Sequence, residues 1–96
     1  MSEEDIKKVW PGLMLHLCPR HRINARNESP TDYKIEDLRK DHYAGFTDSQ
    51  YFRKLIYELA RLYEEIQVEG DIIKLTKYGL DNCEKYDPTF QKDFKY

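Results

Sequence analysis

The chain has 96 residues, and its 16 Lys and Arg against 18 Asp and Glu leave a formal net charge of −2. This length suits one domain, 1–96, whose single core needs neither a metal nor many bridges, and the charge argues against an indiscriminate polyanion binder. No apolar run approaches the ~20 residues of a membrane span and the acidic start is wrong for a secretory signal, so we expect a soluble, cytoplasmic protein without a membrane partner.

Charge is distributed unevenly along the sequence. Residues 1–5 carry three acids, residues 6–27 carry five Lys or Arg and no acid, and residues 28–49 have a net charge of −3. This polarity permits a cationic face on a protein whose overall balance is acidic.

The N-terminal segment predicts helix. Ser2 and the three acids after it are a suitable helix start, and apolar residues keep helical spacing from Ile6 to Leu17. Because a proline removes a helical hydrogen bond and clashes with the preceding turn, Pro11 predicts either one kinked helix or two short ones, the second beginning at Pro11. Pro19 is expected to end this helix.

Residues 20–31 show no hydrophobic period and are rich in turn formers, which predicts a loop. The loop is longer than most connections, and loops of this size are often functional or mobile. Its arginines are candidates for phosphate or minor-groove contacts, or else they are simply solvated. They are Arg20, Arg22 and Arg26.

A short helix over 36–43, a turn at residues 44–46 and a long helix over 47–63 come next, with Thr47-Asp48 as the cap of the long helix. Helical spacing gives the long helix one apolar face, which predicts a core contact. This face comprises Phe52, Leu55, Ile56, Leu59, Leu62 and Tyr63. The opposite face comprises Gln50, Arg53, Lys54, Tyr57 and Arg61.

The C-terminal third predicts a β-hairpin and a last helix. Residues 65–69 alternate polar and apolar, Gly70-Asp71 supplies a turn, and residues 72–76 form a second strand. Thr76 then caps a helix. The ending, 87–96, is polar, with Phe90, Phe94 and Tyr96 spaced as one stripe.

Two cysteines are too few for a secreted disulfide scaffold. Cys18 and Cys83 are expected to be plain buried thiols, although one bridge between them is possible if the source is a hyperthermophile. The high content of Tyr, Lys, Glu and Ile with few Ala is suggestive of a thermophilic archaeon or one of its viruses.

Four short motifs follow one another between Tyr33 and Gly79. They are a helix start at residues 35–38 (Ile-Glu-Asp-Leu), a turn at 45–47 (Gly-Phe-Thr), a hairpin turn at 69–71 (Glu-Gly-Asp) and a run at 75–79 (Leu-Thr-Lys-Tyr-Gly). In this order they resemble a winged helix-turn-helix domain of prokaryotic and archaeal transcription regulators. The resemblance implies an α+β fold that is mainly helical, with a short two-stranded hairpin as the wing and 87–96 as a C-terminal tail.

The resemblance also implies a regulator that binds double-stranded DNA, with the helix 48–62 in the major groove. Residues on the first two turns of this helix would reach base edges, and the later ones, the preceding helix and the basic loop would contact phosphates. The implied DNA-binding residues are Ser49, Gln50, Arg53, Lys54, Tyr57, Arg61, Lys34, Arg39, Lys40, Arg20, Arg22, Arg26 and Lys74.

The polar face of the long helix has a second interpretation, because a stripe of Arg, Lys and Tyr is also ordinary for a solvated helix. The alternative function is a winged-helix protein-interaction module that does not bind DNA, which the acidic wing tip and the pI near 5.9 favour. For the DNA-binding protein we expect a homodimer, because two half-sites reward two-fold symmetry. Its surface would combine the first and last helices with Tyr86, Phe90, Phe94 and Tyr96.

Metal binding and catalysis are not expected. His16, Cys18 and His21 do not have the paired spacing of a structural zinc module. The sequence has no glycine loop for phosphate, no nucleophile elbow and no His-Glu-x-x-His, so we predict no cofactor and no enzyme activity.

Overall fold

The computed structural model describes residues 2–90 as an α+β fold of helices around a three-stranded antiparallel sheet. Phe94 and Tyr96, predicted to extend the C-terminal stripe, lie outside the described residues. None of the helices within 2–90 is long and apolar enough to cross a bilayer. The elements are α1 (Glu3–Val9), α2 (Gly12–Arg26), β1 (Tyr33–Lys34), α3 (Ile35–His42), α4 (Ser49–Leu62), β2 (Ile66–Glu69), β3 (Ile72–Leu75) and α5 (Lys77–Tyr86).

The N-terminal segment forms two helices, which is one of the two predicted alternatives. Pro11 occupies the N-cap of α2, and the helix itself begins at Gly12. The prediction that Pro19 ends this helix is wrong, because α2 continues to Arg26. The predicted loop over 20–31 is therefore wrong for residues 20–26 and confirmed for residues 27–31. Pro19 removes one hydrogen bond, but the turns on either side of it are held by buried Leu17 and Cys18 and by contacts of Arg20 with Thr31.

The sheet contains one strand more than the sequence predicts. Its order is β1-β3-β2, so the predicted hairpin of β2 and β3 is confirmed but a third strand pairs with it. In β1, Tyr33 lies opposite Ile73 and Lys34 lies opposite Ile72. A strand of two residues is too short to show an alternation of polar and apolar side chains. Its pairing with β3, and not its local sequence, makes this segment a strand.

Helix α4 supplies the centre of the core. Asp48, one half of the predicted cap, accepts hydrogen bonds from the amides of Gln50 and Tyr51. Leu62 is 47% exposed, so its predicted place on the core face is wrong. At ~100° per residue it lies at the edge of that face, whereas Tyr63 lies nearer its centre and packs against the core. The α4 residues that are fully buried are Phe52, Leu55, Ile56 and Leu59.

The start of α5 is joined to the start of β2 by a close backbone contact. The Thr76 side chain accepts from the Gly79 amide at 3.0 Å and donates to the Glu64 carbonyl at 2.6 Å, which confirms the predicted cap. The Thr76 amide donates to the Glu65 carbonyl at 3.1 Å. A Cβ on Gly79 would lie 2.0 Å from that carbonyl oxygen, so only glycine fits here.

A disulfide joins α2 to α5. Cys18 and Cys83 are fully buried and form a bridge with a Cα–Cα distance of 5.5 Å, which corrects the expectation of two free thiols. The sequence could not decide this point, because bridging depends on how α2 and α5 pack. The bridge connects positions 65 residues apart.

We expect Gly79→Ala to lower the free energy of unfolding by about 1–3 kcal/mol, the usual range for overpacking. The added methyl would displace the Glu65 carbonyl, which the Thr76 amide binds. Urea unfolding measures the effect. Gly45→Ala is the matched control, since a Cβ there meets nothing within 4 Å, and equal midpoints for the two variants would contradict the prediction.

We expect Cys18→Ala with Cys83→Ala to cost about 4 kcal/mol of stability in the loop-entropy account, because the bridge constrains a long segment of the unfolded chain. Thermal unfolding of the double variant and of the wild type, each with and without reductant, tests this. The variant should not respond to reductant. A wild-type midpoint that reductant leaves unchanged would contradict the prediction.

Candidate nucleic-acid interface

The outer face of α4 is open and concave. Its side chains line a concavity of about 380 Å³ beside the helix. Gln50 and Lys54 are exposed and Tyr57 is 40% exposed, whereas the same helix buries its other face in the core. The lining residues are Gln50, Arg53, Lys54 and Tyr57, four of the five residues predicted for this face.

Arg53 does not project freely from this face, because it binds the turn between β2 and β3. One nitrogen of its guanidinium lies 3.3 Å from the Asp71 carboxylate, and another donates to the Gly70 carbonyl at 3.1 Å and to the Tyr57 hydroxyl at 3.3 Å. Tyr57 in turn donates to the Gly70 carbonyl at 2.5 Å. The Arg53 side chain is nevertheless 43% exposed, so a ligand in the concavity could reach it.

Two lysines lie on the elements that precede α4, Lys34 in β1 and Lys40 in α3. Lys34, at the register position opposite Ile72, is next to the turn that Arg53 contacts. Lys40 is close enough to Glu36 to help lower its pKa, and Glu36 accepts a hydrogen bond at 3.3 Å from Ser49 at the start of α4. Lys34, Lys40 and Lys54 have no acidic partner in a salt bridge within residues 2–90.

Arg39 serves the junction between α3 and α4. It is only 14% exposed, forms a salt bridge with Glu36 and donates to the Phe46 carbonyl at 2.9 Å. Its hydrogen bond to Glu36 is the main reason that the pKa of Glu36 is lowered and that of Arg39 is raised. The side chain therefore holds the turn before α4 and offers little surface to a ligand.

Two other predicted cations are paired on the surface. Arg61 forms a salt bridge with Glu58 one turn earlier in α4, and this hydrogen bond is the main cause that raises the pKa of Arg61. Lys74 lies 4.0 Å from Asp32 and 3.8 Å from Glu69. Exposed pairs of this kind contribute little stability, but they reduce the local positive potential.

The three arginines of α2 do not line the concavity on α4. Arg20 lies over the Tyr33 ring, 4.0 Å from its centroid, and donates to the Thr31 carbonyl at 3.1 Å. Arg22 forms an ion pair with Asp87 at 2.7 Å, and their side chains are 23% and 6% exposed. Arg26 is exposed at the end of α2. Arg20 and Arg22 thus hold the helix in place, which corrects the prediction of a basic loop.

Gly70 and Asp71 are parts of this site that the sequence did not predict. In the sequence the acidic wing tip only favoured a protein partner over DNA, whereas in the structure its carboxylate and carbonyl bind Arg53 and Tyr57. The sequence shows that the helix face carries positive charges and the turn carries negative ones. Their contact depends on how the hairpin lies against α4.

Histidines form one further cluster. The His16 and His42 rings stack with a centroid distance of 3.8 Å, and Tyr43 meets His16 edge-on. Burial, followed by the charge of His42, lowers the pKa of His16. Within the described residues, no group of three or more His, Cys, Asp or Glu side chains could hold a metal ion.

Comparison with known proteins finds no matching family model, no matching curated protein and no matching solved structure. The functional argument below therefore uses the geometry of this chain alone.

We expect Arg22→Met to lower the free energy of unfolding by about 2 kcal/mol at pH 7, since it leaves a nearly buried carboxylate without its charged donor. Burial alone would raise the pKa of Asp87, but the hydrogen bonds from Arg22 and Thr89 outweigh it and lower the pKa below 3.8. The stabilisation by the Arg22–Asp87 pair is therefore full above pH 3.8 and is lost as the pH falls through the pKa of Asp87 in the folded state.

Urea unfolding at pH 7 and at successively lower pH values tests this prediction. The difference between Arg22→Met and the wild type should shrink once the pH is below 3.8. Arg26→Met, a change at an exposed arginine of the same helix, should alter stability by less than about 0.5 kcal/mol. A pH-independent loss in Arg22→Met would mean that only its packing matters.

Proposed function

We propose that this chain binds duplex DNA as a winged-helix protein. In this proposal α3 and α4 are the two helices of a helix-turn-helix, α4 enters the major groove, and β2 with β3 forms the wing. The order of elements supports the proposal, since a short helix, a tight turn, a longer helix and a hairpin follow one another. An α-helix has the diameter that the major groove admits.

The observation that carries the proposal is the open outer face of α4. Its amide, its lysine and its partly exposed arginine lie together beside the hairpin, on a helix whose other face is fully buried. Gln50 has the donor and acceptor that match the edge of adenine, and Arg53 matches guanine. In this proposal Lys34 of β1 and Lys40 of α3 neutralise phosphates, which fixes the orientation of a helix on the duplex.

A homodimer is part of the same proposal, but Phe90, predicted on its surface, is 4% exposed and belongs to the core. Large apolar side chains remain exposed away from the open face of α4, with Leu15 at 51%, Ile23 at 48% and Tyr78 at 56%. Leu15 and Ile23 are two turns apart on α2, where a second copy could cover them. A dimer would place its two copies of α4 about 34 Å apart, one turn of the duplex.

The second candidate function is a winged-helix module that binds a protein partner and not DNA. The Arg53–Asp71 salt bridge favours it, because the acid removes part of the positive charge from the face that would meet phosphates. A mixed surface of exposed Tyr57, Gln50 and a neutralised arginine is compatible with a polar protein interface.

Titration of a random-sequence duplex pool at 50 and 200 mM salt tests the proposal. If Lys34, Lys40 and Lys54 neutralise one phosphate each, the slope of log K against log salt is about −3 per protomer, a roughly 50-fold loss of affinity over this range. Lys54→Gln should weaken binding and make the slope shallower by about 1.

Lys85→Gln is the matched control, because it removes the same charge from an exposed position on α5. It should leave affinity and slope nearly unchanged. The absence of binding at 50 mM salt would contradict DNA binding and favour the protein-interaction module. Equal effects of the two lysine variants would contradict the role of α4.

A further inference from the structure

We propose that Asp71 is a specificity-determining residue, which directs Arg53 towards the neutral acceptor pair of a base edge and away from phosphate. This inference rests on the proposed binding of duplex DNA by α4. It assigns a function to the acidic turn of the hairpin, which would otherwise only weaken the interaction with a polyanion. The base edge that fits is guanine, whose O6 and N7 are two adjacent acceptors.

The first step is the geometry of the ion pair. The Asp71 carboxylate lies 3.3 Å from the Arg53 guanidinium, at the border of the concavity that Gln50 and Lys54 also line. A guanidinium has five N–H donors, and three contacts engage it, to Asp71, to Gly70 and to Tyr57. Arg53 is therefore held in one orientation and retains donors for a ligand.

The second step is the rigidity of the turn that carries Asp71. Glu69 pairs with Ile72, so Gly70 and Asp71 form a two-residue turn, in which Gly70 has φ +58°. The Asp71 carbonyl accepts from the Ile35 amide at 2.9 Å, which ties the turn to the start of α3. The backbone that carries the carboxylate is thus held in place by contacts that do not involve Arg53.

The third step is electrostatic discrimination. A phosphate that approaches Arg53 also approaches the Asp71 carboxylate, and the repulsion between the two anions opposes this contact. A base edge carries no net charge, so it gains hydrogen bonds from Arg53 without that repulsion. The side chains of Arg53 and Asp71 are 43% and 50% exposed, and exposed pairs are weak enough for a bidentate ligand to replace one of their contacts.

Three lysines are not held by a salt bridge of this kind within the described residues. Lys54, Lys34 and Lys40 form no salt bridge within residues 2–90, so they can meet phosphates directly. The surface therefore separates two tasks, with lysines for the DNA backbone and one acid-neutralised arginine for a base.

Asp71→Asn tests the proposal, because it removes the charge while it keeps the size of the side chain and an acceptor. The probes are a pool of random 20-base-pair duplexes and the duplex that the wild type selects from that pool. Asp71→Asn should bind the unselected pool about three- to tenfold more tightly, with a salt slope steeper by about 0.9 per protomer, since Arg53 now meets a phosphate. The ratio of selected to unselected affinity should fall about tenfold.

Asp37→Asn is the control, since it removes one exposed charge from α3 that forms no salt bridge within the described residues. It should change both affinities by the same small factor. In an Arg53→Met background, Asp71→Asn should have no more effect than this control, because Asp71 acts through Arg53. Thermal unfolding of each variant verifies its fold.

Two results overturn the inference in distinguishable ways. If the wild type binds DNA and Asp71→Asn changes the affinities and the slope no more than Asp37→Asn does, the inference is wrong and the proposed function stands. If the wild type binds no duplex at low salt, the proposed function fails and the inference fails with it.

Discussion

The position of the hairpin depends on the close contact between the backbones of Glu65 and Gly79. Because Gly79 has no side chain, the first turn of α5 lies directly on the segment that enters β2, and Thr76 hydrogen-bonds both sides of this contact. The contact fixes where β2 begins and where β3 ends. The turn between these strands consequently reaches α4, where its carbonyl and carboxylate bind Tyr57 and Arg53.

Elements whose signal is local could be predicted from the sequence. The apolar period of α4, the Asp48 and Thr76 caps and the turn at Gly70 each involve residues within a few positions of one another, and the structure has them as predicted. The second half of α2 has no such signal. It is helical because distant groups, Thr31, Asp87 and Cys83, bind its side chains.

The candidate site shows the same division between local and distant contacts. Helical spacing was sufficient to place Gln50, Lys54 and Tyr57 on one exposed face. It could not show which cations have partners, because each partner lies on another element or in a different turn. Five of the ten Lys and Arg residues predicted to bind DNA form salt bridges with Asp or Glu. These five are Arg22, Arg39, Arg53, Arg61 and Lys74.

If the proposed function holds, this pairing of cations with acids decides which kind of DNA contact dominates. Non-specific affinity comes almost wholly from the release of counterions by unpaired cations, and here only a few remain near α4. Contacts to base edges depend on geometry and on neutral acceptors, and paired cations do not weaken them in the same way. Under the proposed function, a net charge of −2 and an acid-paired arginine beside an open helix face favour contacts that discriminate between sequences over contacts that hold any duplex.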